Sequence, residues 1–201
     1  MDLVTKAKWD KAARNFDVMA GFGPEKRWAP VKQKLFSKMG DGRILFLAVG
    51  TGLDVPFFPK GRNIVGIDIS DKMLEKARVR TDAYEGKIEL QAMDVHDMPF
   101  PDGSFDQVFT SCTFCSVPRP VEGLKALRRV LVPGGELHMF EHTGSRYFPF
   151  NTMLNQMTWL SKRFGPDMNR DTVTNAKIAG FTVREVTHVY LDVVKTISAT
   201  A

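Results

Sequence analysis

Five apolar runs of strand length, "RILFLAV", "NIVGIDI", "KIELQAMD", "FDQVFTSC" and "GELHMFEH", follow one another with helix-patterned or turn segments between most of them. Strand, helix, strand alternation then implies a doubly wound α/β fold, a parallel sheet with helices on both sides. Of the connecting segments, "SDKMLEKARVRTDAY" opens on Ser70 as a helix cap, and "PVEGLKALRRVLVPGG" is expected to stop at its Pro-Gly-Gly turn. The tail breaks the alternation. "NRDTVTNAKIAG" reads as a helix closed by Gly180, after which "FTVREVTHVYLDVVKTIS" offers two strands with no room for a helix between them, so they should pair antiparallel.

At 201 residues, without repeats or linkers, the chain suits one domain, 1–201, and a globule of this size buries about 70% of its unfolded surface. Its two cysteines, Cys112 and Cys115, sit in an apolar strand-like region, which argues against a disulfide-rich secreted module. The pair also has redox or metal spacing. Zinc would need two further ligands, and the four histidines show no partner spacing, so we read the cysteines as structural and expect no metal. Neither a signal peptide nor a membrane-spanning stretch is evident, and the expected location is cytoplasmic.

The net charge of +5 is uneven: residues 1–40 hold nine Lys and Arg against four acids, whereas the other 161 residues hold nineteen of each. Trp9, Ala12, Ala13, Phe16 and Met19 recur at helical spacing among Lys6, Lys8, Lys11 and Arg14, which predicts one amphipathic helix from Val4 to Met19. A second helix is expected from Pro24 to Met39, kinked or divided at Ala29 by Pro30. Residues 1–40 thus read as an N-terminal helical cover. Its basic residues lack a series of stacking aromatics or a nucleic-acid-binding motif, so no nucleic-acid partner is expected.

In open α/β sheets, ligands lie beyond the carboxyl ends of the strands. Gly50 and Gly52 follow the first strand here, Asp68 ends the second and Asp94 ends the third. A dinucleotide fingerprint requires a third glycine where this chain has Asp54 and Val55, and an acid there would repel phosphate. No Walker lysine follows either. The adenosine cofactor that remains carries no phosphate: S-adenosylmethionine.

At "AVGTGLD", "GIDISDKMLEKAR", "MDVHDMPFPDGSFDQVF", "ALRRVLVPGGEL" and "FEH" the chain resembles class I S-adenosylmethionine-dependent methyltransferases, the small kind that includes bacterial phosphatidylethanolamine N-methyltransferases and quinone C-methyltransferases. That resemblance implies a Rossmann-like sheet of seven strands, the last antiparallel. It puts Gly50 and Gly52 against the methionine portion, Asp68 on the ribose, Met73 on the adenine, and Asp94 with Val95 at the adenine edge. Ala48, Thr51, Ile69 and Ser111 complete the implied cofactor site. Two fingerprint positions depart from the family: Phe46 stands for the usual acid and Ala48 for the usual glycine. Ala48 is a mild change if its φ is negative. Asp54 is expected to replace in part the acid lost at 46.

A sulfonium methyl is intrinsically activated, so the protein mainly aligns donor and acceptor and excludes water. Acceptor choice must then lie in the N-terminal cover, the loop "TSCTFCSVP" and the segment 141–170. There Tyr147, Phe148, Phe150, Met153, Leu154, Met157, Trp159 and Leu160 are flanked by Arg146, Lys162, Arg163 and Arg170. This is either a helix packed on the sheet edge or an apolar acceptor pocket whose arginines take a phosphate. Trp9, Phe16, Cys115, Arg146, Tyr147 and Arg170 are the candidate acceptor contacts. The basic N-terminal helix suits a peripheral contact with an anionic inner-membrane surface. An amine acceptor must lose its proton before it attacks, and Glu141, His142 and Tyr147 are the candidate catalytic groups. Phospholipid-headgroup N-methylation is the expected reaction; a quinone-like carbon, a small thiol, or cofactor binding without catalysis are the alternatives.

Overall fold

A computed structural model describes residues 1–21, 25–161, 167 and 169–201. Seven strands form one sheet: β1 (Arg43–Leu47), β2 (Asn63–Asp68), β3 (Lys87–Ala92), β4 (Phe105–Ser111), β5 (Leu131–His142), β6 (Thr182–Tyr190) and β7 (Val194–Thr200). Their spatial order is β3-β2-β1-β4-β5-β7-β6. The pairs from β3 through β5 are parallel, and β7 runs antiparallel to both β5 and β6. This is the doubly wound sheet with an antiparallel last strand that the alternation and the tail predict.

The central strands alternate their side chains between two apolar layers. Leu45, Leu47, Val65, Ile67 and Val108 face one layer, filled by Leu124, Leu127 and Val130 of α5 (Pro120–Val130) and Ala176 of α7 (Thr172–Ile178). Ile44, Phe46, Ile64 and Phe109 face the other, filled by Leu35 and Phe36 of α3 (Glu25–Phe36) and Leu74 and Ala77 of α4 (Asp71–Asp82). Phe46 explains itself here. Its ring lies 4.8 Å from Phe58 and 5.6 Å from Phe36, in an aromatic cluster that replaces an acid with apolar burial.

Helix ends follow the chemistry of their caps. Ser70 Oγ accepts the Met73 N–H at 3.1 Å at the start of α4, and Asp171 accepts the Thr174 N–H at the start of α7. The helix after β4 stops earlier than expected, at Val130. β5 begins at Leu131, and the Pro-Gly-Gly turn lies inside it as an irregularity between its pairings with Phe105 and Gln107.

The N-terminus departs from expectation in two ways. The predicted helix over Val4–Met19 is broken into α1 (Leu3–Ala12) and α2 (Phe16–Gly21), and Lys76 Nζ donates to the Arg14 carbonyl at the break. In contrast, α3 runs unbroken through Pro30, which falls in its second turn, and ends at Phe36 rather than Met39. Pro24 lies outside the described residues, as does the Met19 side chain. Segment 1–40 is therefore two things: α1 and α2 lie on the rim, whereas α3 is built into the core through Phe36, which is fully buried.

Ala48 corrects the expectation of a mild change, because its φ is +59°. A left-handed residue with a Cβ costs about 1–2 kcal/mol, offset by the backbone entropy that glycine loses, about 0.5–1 kcal/mol. Ala48→Gly should raise unfolding free energy by roughly 0.5–1 kcal/mol. Urea denaturation reads this directly, and an unchanged or lowered midpoint would refute it.

Candidate active site

The carboxyl rim is assembled by backbone geometry at Gly50 and Gly52, whose φ values are +58° and +81°. A Cβ on Gly50 would meet nothing nearer than Phe16 Cε1 at 3.9 Å, so the turn presents bare backbone toward α2. Asp68 ties this turn to the next strand: Oδ2 accepts the Gly50 N–H and Oδ1 the Ser70 N–H, both at 2.9 Å. Burial, aided by the nearby Asp10 charge, pushes its carboxyl above the usual range. Such an acid gains from further hydrogen-bond donors, which the two hydroxyls of a ribose supply. Met73 in the first turn of α4 and Val95 after β3 are buried, and Thr51 is 1% exposed.

Asp94 ends the third position of the series. Its Oδ1 accepts the His96 N–H and pairs with the His96 ring at 2.7 Å, while Oδ2 accepts the Asp2 N–H at 2.8 Å. Burial opposes its charge, but the His96 and Asp2 backbone donors outweigh it and the carboxyl stays below the usual range. Ile69 is half-buried between Asp68 and Ser70, and Ser111 caps the end of β4, where its carbonyl accepts Thr113 Oγ1. Asp54 sits apart from these acids. Its Oδ1 is held by the buried Lys32 ammonium at 2.8 Å, so it reaches the rim already paired with a cation.

Three N-terminal contacts close on the same rim, and the residue reading did not anticipate them. The Asp2 amide meets Asp94; Asp10 Oδ1 accepts from Ser70 Oγ at 2.6 Å; Asp17 accepts from Thr51 Oγ1 and pairs with Arg80, which also donates to the Thr51 carbonyl. The seven-residue interval from Asp10 to Asp17 was the available signal. Trp9 and Phe16 meet edge to face, their centroids 6.3 Å apart.

At the end of β5, Glu141 is fully buried and fully engaged. Oε1 accepts from Thr110 Oγ1 at 2.9 Å and the Thr113 N–H at 3.2 Å, and Oε2 accepts from the Phe114 N–H at 3.1 Å. Burial nonetheless pushes its pKa up to about 7. With its oxygens occupied, Glu141 pins the loop that carries Cys112, itself at φ +52°. His142 is different: burial lowers its pKa, and its buried Nδ1 has no hydrogen-bond partner among the described residues. The cysteines are free thiols; Cys115 donates to the Cys112 carbonyl at 3.4 Å, and burial pushes its pKa to about 12, far from a reactive thiolate. Among the described residues no group of three His, Cys, Asp or Glu side chains forms a metal-binding cluster.

A cavity of about 230 Å³ lies between α1 and the loop after β4, lined by Thr5, Lys8, Trp9, Cys115, Ser116, Pro118, Asp167 and Arg170. Three of the candidate acceptor contacts, Trp9, Cys115 and Arg170, meet there. Phe16 does not line it. Arg146 and Tyr147 do not either: Tyr147 is 68% exposed, and Arg146 points to solvent near Asp171. Lys162 and Arg163 lie outside the described residues. Arg170 donates to the Val117 carbonyl at 3.3 Å and faces Asp167 at 3.6 Å, and its Nε is buried without a partner among the described residues.

A family described as a methyltransferase domain matches residues 45–139. The Geotalea daltonii ubiquinone/menaquinone biosynthesis C-methyltransferase UbiE is 33% identical over 160 residues, covering 71% of this chain and 68% of that protein. The chain belongs to the class I S-adenosylmethionine-dependent methyltransferases. Its cofactor is accordingly S-adenosylmethionine, and the rim residues fit it, with a buried acid for a ribose and a bare glycine turn beside it. The Cereibacter sphaeroides phosphatidylethanolamine N-methyltransferase is 36% identical over 103 residues, half of this chain; the chain spans 51% of that enzyme's length. In fold, it is similar to a methyltransferase solved in complex with the Haloferax volcanii activator Trm112, with a TM-score of 0.72 at 18% identity, covering 96% of this chain and 97% of the other. An S-adenosylmethionine-dependent methyltransferase of Thermotoga maritima gives 0.67 at 21% identity, covering 96% and 99%.

Glu141 makes stability depend on pH with a definite sign. Its carboxyl titrates near 4.5 when unfolded and near 7 when folded, so the stability it confers is complete below about 4.5 and is lost as pH rises toward 7. The loss is on the order of 3 kcal/mol at 1.36 kcal/mol per unit. Glu141→Gln should be less stable at pH 4.5 and should flatten this part of the profile, as read by chemical denaturation at a series of pH values. Parallel profiles for the two proteins would exclude the effect.

Proposed function

We propose that this methyltransferase acts on the primary or partly methylated amine of a phosphate-bearing lipid headgroup. The observation that carries the reading is the mixed charge of the cavity. Lys8 and Arg170, with its unpartnered Nε, suit a phosphate, Asp167 suits an ammonium, and Trp9 and Pro118 offer apolar contact. A zwitterionic headgroup presents both signs. The resemblance over half the chain to the Cereibacter phosphatidylethanolamine N-methyltransferase agrees with it.

An alkyl ammonium has a pKa of about 10.4 and attacks only as the free base. His142 is the proposed proton acceptor, since burial keeps it neutral and leaves Nδ1 without a partner. Glu141 is proposed as a positioning residue that acts through the Thr113 and Phe114 amides. Asp68 is proposed to hold the cofactor ribose, Asp94 with Val95 the adenine, and Gly50, Thr51 and Gly52 the methionine portion. A peripheral contact with the inner membrane surface belongs to this reading, since the acceptor is a lipid.

A second reading, methylation of a quinone-ring carbon, is supported by the longer relatives, the Geotalea UbiE among them. It has no use for a phosphate subsite. With a labelled methyl donor, phosphatidylethanolamine in mixed micelles and a demethylated quinone in the same detergent separate the two. The expected outcome is label in the lipid amine. In that assay Lys8→Gln with Arg170→Gln should raise KM roughly ten- to hundredfold, and His142→Ala should lower kcat by about 10²–10⁴. Label in the quinone alone, or an unmoved KM in the double variant, would overturn the headgroup assignment.

A further inference from the structure

The segment that joins β5 to α7 carries an apolar surface with no protein to cover it. In α6 (Phe150–Ser161) only Leu154 and Thr158 are buried among the described side chains. Phe148 and Trp159 are 81% and 77% exposed, and Tyr147, Phe150, Met153 and Met157 are exposed with them. This corrects both sequence-based expectations for the stretch: it neither packs broadly on the sheet edge nor lines the cavity. At about 100° per residue Trp159 stands on the opposite side of α6 from Phe150, so the exposed apolar side chains flank the outer surface of the helix on both sides, a display a folded domain rarely leaves in water.

We infer that this face is a docking surface for an anionic lipid bilayer, with α6 lying in the plane of the interface. Charge selects the occupant. Between residues 143 and 166 the chain has Arg146, Lys162 and Arg163 and no acid at all, and α6 itself bears no charged residue. Arg146 is exposed beside the aromatic pair Tyr147 and Phe148. Aromatic and basic residues side by side match the headgroup level of an anionic leaflet, where each nearby Lys or Arg is worth about 1 kcal/mol. A second copy of the chain would set this unbalanced basic segment against itself.

The inner side of α6 adds a second argument. Asn155 and Thr158 bond to Asn169 and Asp167, and the Asp167 N–H donates to the Cys115 carbonyl at 2.8 Å. The helix is therefore fastened to the wall of the cavity that Asp167, Arg170 and Cys115 line. On the opposite wall, α1 contributes Lys8 and Trp9 and carries Leu3 and Val4, 71% and 78% exposed. The inference deepens the peripheral contact that belongs to the acceptor reading by naming the surface that makes it, and it uses none of that reading's acceptor chemistry.

Vesicle partition of the full chain tests it without methyl donor or acceptor, so a wrong acceptor leaves the result intact. Sedimentation with vesicles of phosphatidylcholine alone, or with about a quarter phosphatidylglycerol, should show at least tenfold stronger binding to the anionic set. Phe148→Ser with Trp159→Ser should lose at least tenfold of that binding while melting as the wild type does; if it melts earlier, Phe148→Ser alone carries the comparison. Tryptophan emission should shift to the blue on vesicles and lose that shift in Trp159→Phe, which still binds. The inference is overturned if the wild type binds neither vesicle, if the serine variants bind undiminished, or if they instead dissociate a wild-type dimer in solution.

Discussion

Asp68 is a carboxylate sealed at the end of β2, 7% exposed, with one oxygen on the Gly50 amide and the other on the Ser70 amide. Removing such a group from water is expensive, and backbone donors arranged around it are what make it tolerable. The glycine turn after β1 is thereby fixed relative to the start of α4. Ser70 extends the chain of contacts: its amide serves Asp68, its hydroxyl oxygen caps α4 through Met73, and its hydroxyl proton goes to Asp10 of the N-terminal helix. One buried charge thus sets the spacing of three segments far apart in sequence.

Glu141 does the same work on the far side of β4. Three donors from Thr110, Thr113 and Phe114 converge on it, which holds the chain through the left-handed Cys112 and shapes the loop that lines the cavity. Its elevated pKa and its occupied oxygens point the same way, toward support and away from proton transfer. The neighbouring His142 has different properties: burial lowers its pKa, and its buried Nδ1 has no hydrogen-bond partner among the described residues. Adjacent residues on one strand face opposite sides of the sheet, and the chemistry of the pair follows from that alternation.

Much of the fold was legible in the sequence because two-sided burial leaves a continuous apolar signature. β1, β2 and β4 are read from "RILFLAV", "NIVGIDI" and "FDQVFTSC", each starting at the observed residue and running one or two residues past the strand, and Ser70 and Gly180 mark helix ends through their own chemistry. Elements on the rim were less legible. The break between α1 and α2 follows from no local propensity; it lets Asp10 reach Ser70 while Asp17 reaches Thr51 and Arg80, a tertiary requirement. Whether Ala48 is a mild change hangs on the sign of its φ, which is set by the turn it enters and not by its neighbours. Phe46, read as a departure from a fingerprint, is an ordinary core residue once Phe36 and Phe58 are beside it.

Charge counted by segment hides direction. The basic excess of residues 1–40 suggested a positive face, yet three of the four acids in that segment, Asp2, Asp10 and Asp17, lie where the N-terminus meets the rim, and Lys11, Arg14, Lys34 and Lys38 are exposed. The acids at 10 and 17 pair with hydroxyls of the strand-end loops and with Arg80 of α4, whereas the solvent-side bases are screened by water and salt. The same helices therefore present opposite electrostatic characters to the sheet and to the medium. Asp10, Asp17, Asp54 and Asp94 are each paired with a basic side chain, whereas Asp68 is held by backbone amides alone among the described residues, and beside it a cation is favoured over an anion. The sulfonium cofactor of this family is such a cation, and a dinucleotide is not, which is the electrostatic counterpart of the missing third glycine.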